Sequence, residues 1–156
     1  MKYTLESSRE WYNNLPGKRT SAAVIVRYDG KILMVKDDYK SAMTFPGGVI
    51  DPDESAKTAA IRETREEVGL DLDPAQVEFH SVAYVPKKNG FNDRFQFFFL
   101  ADIDAETAAL VSPESGIEYY AWVEPFEVGT RAGGRGTYVE LATMLSSGLS
   151  VPYFEV

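Results

Sequence analysis

The sequence predicts an α/β fold in which a sheet lies between helices, and three observations predict it. Apolar, β-branched runs are joined by the hairpin signals Asp29-Gly30 and Lys87-Lys88-Asn89-Gly90. The segment Ala56 to Val68 has helical spacing with a stop signal at each end. The run Arg94 to Ala101 is apolar on both faces, which a strand tolerates only when it is covered above and below.

Taken in order, Ala22 to Tyr28 and Lys31 to Val35 form the first predicted hairpin. Pro46-Gly47-Gly48 breaks the chain, and Val49-Ile50 can supply a short strand. Ser55 can cap the following helix by accepting a bond from an orphan amide, and Gly69 suits its left-handed stop. Ala56, Ala60, Thr64 and Val68 recur every four residues and give that helix its inward stripe. Asp71 to Pro74 is a polar turn. Val77 to Val85 and Arg94 to Ala101 are strands; in the second, Phe95, Phe97 and Phe99 share one face, with Phe98 and Leu100 on the other. Tyr119 to Val123 is a further strand. A second helix, Tyr138 to Leu145, begins after Gly133-Gly134-Arg135-Gly136.

The 156 residues suit one domain, with residues 1–20 as an N-terminal extension. With 44% hydrophobic and 13% aromatic residues the chain can bury a core, which excludes disorder. Its net charge of −8 argues against polymeric nucleic acid as a partner. A small phosphorylated ligand is still compatible, because a divalent cation reverses the local field. The absence of cysteine excludes disulfides, thiolate metal sites and cysteine nucleophiles. Glu6, Arg9 and Glu10 stand where a secretory leader needs an apolar core, and no apolar run approaches the roughly 20 residues of a membrane span. A soluble, cytoplasmic protein with no membrane partner is the expectation.

Chemistry concentrates in Gly48 through Leu70, GVIDPDESAKTAAIRETREEVGL. Glu63, Glu66 and Glu67 lie at i, i+3 and i+4, so a helix places their carboxylates on one face. In water, such neighbours cost about 0.2–0.5 kcal/mol per pair. In a partly dry cleft, two carboxylates 4 Å apart repel by about 4 kcal/mol at an effective dielectric of 20. Such a cleft needs bound cations or raised pKa values, and oxygen-only ligands suit Mg²⁺ first and Mn²⁺ next. Without further pattern, an acidic run is an ordinary solvated helix face.

Further pattern is present. The segment resembles the Nudix box, G-x5-E-x7-R-E-U-x-E-E-x-G-U with U a bulky aliphatic residue, and all seven fixed positions match. At frequencies of roughly 6–7% each, seven matches arise at a random site about once in several hundred million. Two positions depart from the pattern. Thr64 takes a U position, where its hydroxyl can bond back to the Ala60 carbonyl. Asp51-Pro52-Asp53 fills a stretch where relatives often show Glu-x-Gly.

The resemblance implies an α/β/α sandwich around a mixed sheet and metal-dependent hydrolysis of a small nucleotide-like diphosphate. It implies Glu63, Glu66 and Glu67 as metal ligands, joined by the Gly48 carbonyl, with Glu54 and Arg62 bracing the loop against the helix. The general base stays open among Glu66, Glu114 and Glu118, since relatives place it either in the box or on a later acidic loop. Arg27, Lys36 and Arg19 are candidate phosphate contacts. Phe45 is a candidate for stacking on a base, as are Tyr28, Tyr39 and Tyr84, although core packing competes for each. Many relatives are dimers, which leaves the oligomeric state open between monomer and homodimer, with no residue run marking an interface. A nucleotide sensor of the same fold is the alternative function; such domains usually lose box glutamates, and none is lost here. A diphosphate isomerase often needs a cysteine, which this chain lacks. His80 next to Ser81 and the glycine-rich stretch before Tyr138 are weaker signals, read as a satisfied histidine and a connection.

Overall fold

The computed structural model describes residues 4–156. Asp29 and Gly30 both take positive φ, 49° and 74°, the two-residue turn whose twist suits a hairpin. They join β1 (Arg19–Tyr28) to β2 (Lys31–Asp37). These strands pair next to the turn, through Arg27 with Ile32 and Tyr28 with Lys31. Farther along β1, Ala22 and Ala23 pair with Gly48 and Gly47 of β3 (Gly47–Val49). The predicted Val49-Ile50 strand thus lies two residues earlier, because the small glycines can lie flat against Ala22 and Ala23. A Cβ on Gly47 would come within 2.4 Å of the Ala22 carbonyl oxygen.

The helix α2 (Ala56–Val68) has the expected limits. It is followed by β4 (Glu78–Val85), β5 (Arg94–Asp102) and the short α3 (Ala105–Ala108). Asn89 and Gly90, with φ of 52° and 81°, make the second hairpin turn between β4 and β5. Then come β6 (Ile117–Val123), α4 (Val128–Arg131), α5 (Gly136–Ser147) and β7 (Tyr153–Glu155). The helix α5 begins two residues before the predicted Tyr138, and β7 and the short helices were not predicted. Nor was α1 (Leu5–Asn13), capped by the Thr4 side chain on Ser7 N–H, with every residue exposed.

The sheet runs β6-β2-β1-β5-β4-β7, with β3 beside β1. It is mixed: β1–β5 and β4–β7 are parallel, and the other pairs are antiparallel. Alternation along β1 sends Ala22, Val24 and Val26 to one core with Ala59, Ala60 and Val68 of α2. Ala23 and Ile25 go to the other, with Tyr138 and Leu141 of α5. In β5, Phe99 faces the α2 core and Phe98 the α5 core, the two-sided cover that its sequence requires. The architecture is therefore the expected α/β/α sandwich. No described helix is long and apolar enough to cross a membrane.

Thr64 is fully buried and its Oγ1 donates to the Ala60 carbonyl at 2.8 Å. That carbonyl already serves the helix, so the hydroxyl adds little while carrying a desolvation cost. Thr64→Val should leave the fold intact and shift stability by up to about 1 kcal/mol in the stabilising direction, read from urea unfolding. A loss larger than that would show that the hydroxyl has a partner of greater weight.

Candidate active site

The phase of α2 is set at its ends. Ser55 accepts from Thr58 N–H at 3.1 Å, and Gly69, with φ 72°, donates to the Arg65 carbonyl. The apolar face settles on β1 and β3, so the adjoining acidic face borders the Gly47-Gly48 loop. Glu67 Oε2 accepts from Gly47 N–H at 3.0 Å. Glu63 lies so close to Gly48 that a Cβ there would stand 2.4 Å from Glu63 Oε1. Glycine at 48 leaves room for that carboxylate, which any larger residue would displace.

Arg62 organises the other acids. Its Nε and Nη2 donate to Glu54 at 2.9 and 3.0 Å, a two-pronged pair, and Nη2 also reaches the Val49 carbonyl at 3.3 Å. Its Nη1 donates to Glu63 at 2.9 Å and Glu66 at 3.1 Å. The pairing holds Glu54 below the usual carboxylate range, through the bond from Arg62 first, and Arg62 above its own. Among the described residues, Glu63, Glu66 and Glu67 each use one carboxylate oxygen this way, and no bond is made to the other. As they stand, no three acidic or histidine side chains of the described residues converge on a common point. Arg62 draws two of the glutamates aside, and Gly47 draws the third.

Burial pushes the Glu67 carboxyl up to about 7; the Gly47 bond opposes this, while Asp37 and Glu63 add to it. Asp37 ends β2 at a bulge, 5% exposed, and its Oδ1 has no hydrogen-bond partner. Its Oδ2 pairs with Lys40 Nζ. Burial works against the Lys40 charge, but the bond and charge of Asp37 outweigh it and raise the ammonium pKa. Neither Asp37 nor Lys40 was among the sequence candidates. An aspartate at a strand end and a lysine in a polar loop carry no local signature, because only the fold brings them beside α2.

The remaining candidates are scattered. Arg27 is five residues along β1 from Ala22, about 16 Å at strand rise, and is paired with Asp102 at 2.6 Å. It serves the far end of the sheet. Lys36 donates to Glu118 at 2.8 Å and to the Asp37 carbonyl at 3.0 Å, so the structure joins those two candidates to each other. Glu114 donates its backbone N–H to the Glu67 carbonyl at 3.0 Å, which docks the late loop on the end of α2, while its side chain stays exposed. Phe45 is 1% exposed, with ring centroids 4.9 Å from Tyr138 and 6.1 Å from Phe98. It is a core residue with no face open for stacking. Tyr28 packs edge-on against Trp122, and His80 Nδ1 lies 2.9 Å from Ser81 Oγ.

The donor set fits a hard divalent cation. It consists of carboxylate oxygens; Glu63, Glu66 and Glu67 each have one left over, and a buried carboxylate oxygen on Asp37 lacks a partner. Burial has also driven Glu67 towards its neutral form, a cost that a bound cation would remove.

A family model of the NUDIX domain matches residues 17–141. The chain belongs to the Nudix family. The CTP pyrophosphohydrolase of Escherichia coli (strain K12) is 42% identical over 53 residues, 31% of this chain and 39% of that protein. The match thus spans about two fifths of that relative's length. Among solved structures, a C. elegans Ap4A hydrolase binary complex aligns with a TM-score of 0.68 at 20% identity, over 83% of this chain and 96% of that one. A bifunctional NMN adenylyltransferase/ADP ribose pyrophosphatase from Francisella tularensis, complexed with AMP and a Mn ion, aligns at 0.69 and 19% identity. That alignment covers 92% of this chain and 46% of the other. Both structures share the fold.

The position of Glu67 has a measurable consequence in metal-free protein. Its folded pKa of about 7 lies above the ordinary 4.5, so between those values the folded state binds more protons than the unfolded one. Stability from this group is full below about pH 4.5 and is lost as pH rises through 7. His80, pushed down by burial, acts in the opposite sense nearby, so the readout is a difference between variants. With chelator present, wild type should lose stability relative to Glu67→Gln on going from about pH 5 to pH 7.5. A difference that is flat with pH would place the Glu67 carboxyl in the ordinary range.

Proposed function

We propose that this chain hydrolyses a diphosphate linkage in a nucleoside diphosphate derivative by attack of water at phosphorus, with Mg²⁺ or Mn²⁺ as cofactor. The substrate class is nucleoside triphosphates, nucleotide sugars or ADP-ribose-like compounds. The observation that carries the reading is the set of three glutamates, each tied by one oxygen to Arg62 or Gly47 and each keeping the other free at the rim of β3.

In this reading Glu63, Glu66 and Glu67 hold the cation together with the Gly48 carbonyl. When bound, the cation supplies charge neutralisation of the diphosphate and acidification of water. The chain's own residues do the rest. Glu54 and Arg62 tie the loop before α2 to the helix, which holds the backbone of β3 against α2 before substrate arrives. The Gly47 amide fixes the orientation of Glu67. Glu66, 49% exposed and bonded through one oxygen only, can accept the proton of an attacking water. Glu118, 54% exposed and likewise bonded through one oxygen, to Lys36, is a second candidate. Glu114 is tied in through its backbone and stays open as an alternative. The acidic surface of the chain leaves a cation-coated small molecule as the expected partner rather than a polymer.

A panel of nucleoside triphosphates, nucleotide sugars and ADP-ribose, incubated with the protein and Mg²⁺ and assayed for phosphate, pyrophosphate or monophosphate release, tests the proposal. Turnover should fall by about 10²-fold or more in Glu66→Gln and in Glu67→Gln, with circular dichroism unchanged. Binding without any product across the panel would favour a nucleotide sensor instead.

A further inference from the structure

Beside Gly47 and Gly48 lies a cavity of about 150 Å³ whose wall includes Lys40, Gln96, Arg135 and Tyr138. It is smaller than the roughly 300–1,000 Å³ that a whole drug-sized ligand occupies, so it takes one end of a substrate. Two cations line it, and each is anchored from behind. Lys40 is held by Asp37, itself 5% exposed, and its two other ammonium protons have no hydrogen-bond partner among the described residues. Arg135 donates Nε to the Ala132 carbonyl at 2.9 Å and Nη2 to the Met43 carbonyl at 2.7 Å. Its guanidinium lies 4.5 Å over the Tyr138 ring, and among the described residues its Nη1 makes no hydrogen bond.

A nucleobase is a poor occupant. Phe45 and Phe98 reach the wall but are 1% and 2% exposed, and Arg135 already covers Tyr138. None of these three rings has a face open for stacking, and Phe97, the other ring on the wall, packs against the α2 core. A neutral sugar gains nothing from two fixed cations, whereas a phosphate gains charge-assisted bonds from donors whose ordering is already complete.

We propose that the cavity is a subsite for the terminal phosphates of the substrate, contacted by Lys40 and Arg135 with Asp37 as the positioning residue for Lys40, so that the chain prefers nucleoside triphosphates to sugar-linked diphosphates. The proposal rests on the reading of the chain as a diphosphate hydrolase for its place in catalysis, but the subsite itself is testable by binding. The arrangement separates two tasks: carboxylates on α2 take the cation, and the opposite wall takes the anionic tail. Specificity then comes from the phosphate chain more than from the base.

The test uses the Mg²⁺-loaded full chain and two probes whose α–β linkage resists hydrolysis, the α,β-methylene analogues of ATP and of ADP-ribose, with the β–γ bond of the first checked for cleavage by phosphate release. Calorimetry should show the ATP analogue bound at least about tenfold more tightly. In Lys40→Met that preference should shrink to within about threefold, and Lys40→Arg should restore most of it. Where turnover is measurable, Asp37→Asn should raise KM for the triphosphate while kcat changes far less. Equal affinity of the two probes, absence of binding by both, or an equal loss on both in Lys40→Met would each overturn the subsite. A Lys40-dependent preference in a chain that cleaves nothing keeps the subsite and removes the hydrolase. Cleavage with a preference indifferent to Lys40 does the reverse.

Discussion

Three carboxylates on adjacent turns of one helix repel one another, and the arrangement around α2 answers that repulsion. At 4 Å and an effective dielectric of 20, one such pair costs about 4 kcal/mol, a large part of a typical domain's stability. Arg62 meets the problem directly, since one guanidinium serves Glu54, Glu63 and Glu66 and also lies 3.6 Å from Asp51. Its planar fork makes this feasible; a lysine could offer neither the two-pronged bond to Glu54 nor the simultaneous reach to α2. Glu67 has no guanidinium. It leans on the Gly47 amide, with Lys40 committed to Asp37 nearby, and stays short of positive charge. That residual deficit is what a divalent cation would satisfy.

The sheet makes this placement possible. Because β1 is covered by α2 on one face and α5 on the other, its small residues Ala22 and Ala23 stay close-packed, and β3 can lie flat along their backbone. The Gly47-Gly48 backbone therefore reaches the glutamates from one side and the cavity of Lys40 and Arg135 from the other. The same loop divides the wall of α2 carboxylates from the wall that carries Lys40 and Arg135. A bulky residue at position 47 would press on the backbone of β1, and one at position 48 on the Glu63 carboxylate.

Much of this was legible in the residues themselves. Ser55 and Gly69 mark the ends of α2 to the residue, because capping is a local interaction. The two turns and the two-faced β5 follow equally from short-range pattern. Distant pairings were not legible. Arg27 read as a phosphate contact, yet its partner Asp102 is 75 residues away. Lys36 and Glu118 form a pair that spans 82 residues. Phe45 is a stacking candidate for which core packing is the stronger reading, and the structure places it in the core against Phe98 and Tyr138. Asp37, Lys40 and Arg135 carry no local signature, because the fold alone brings them beside the box glycines. The short β7 has too few residues for a periodic signal, whereas α1 carries a local signal of another kind, the N-cap residue Thr4.

Anomalous diffraction from crystals soaked in Mn²⁺ tests the central claim most directly. The account predicts a strong peak at the rim of β3, touched by the free carboxylate oxygens of α2, with Glu63 and Glu66 turned away from Arg62 towards it. An empty rim at saturating Mn²⁺, with the glutamates still folded onto Arg62, would contradict it.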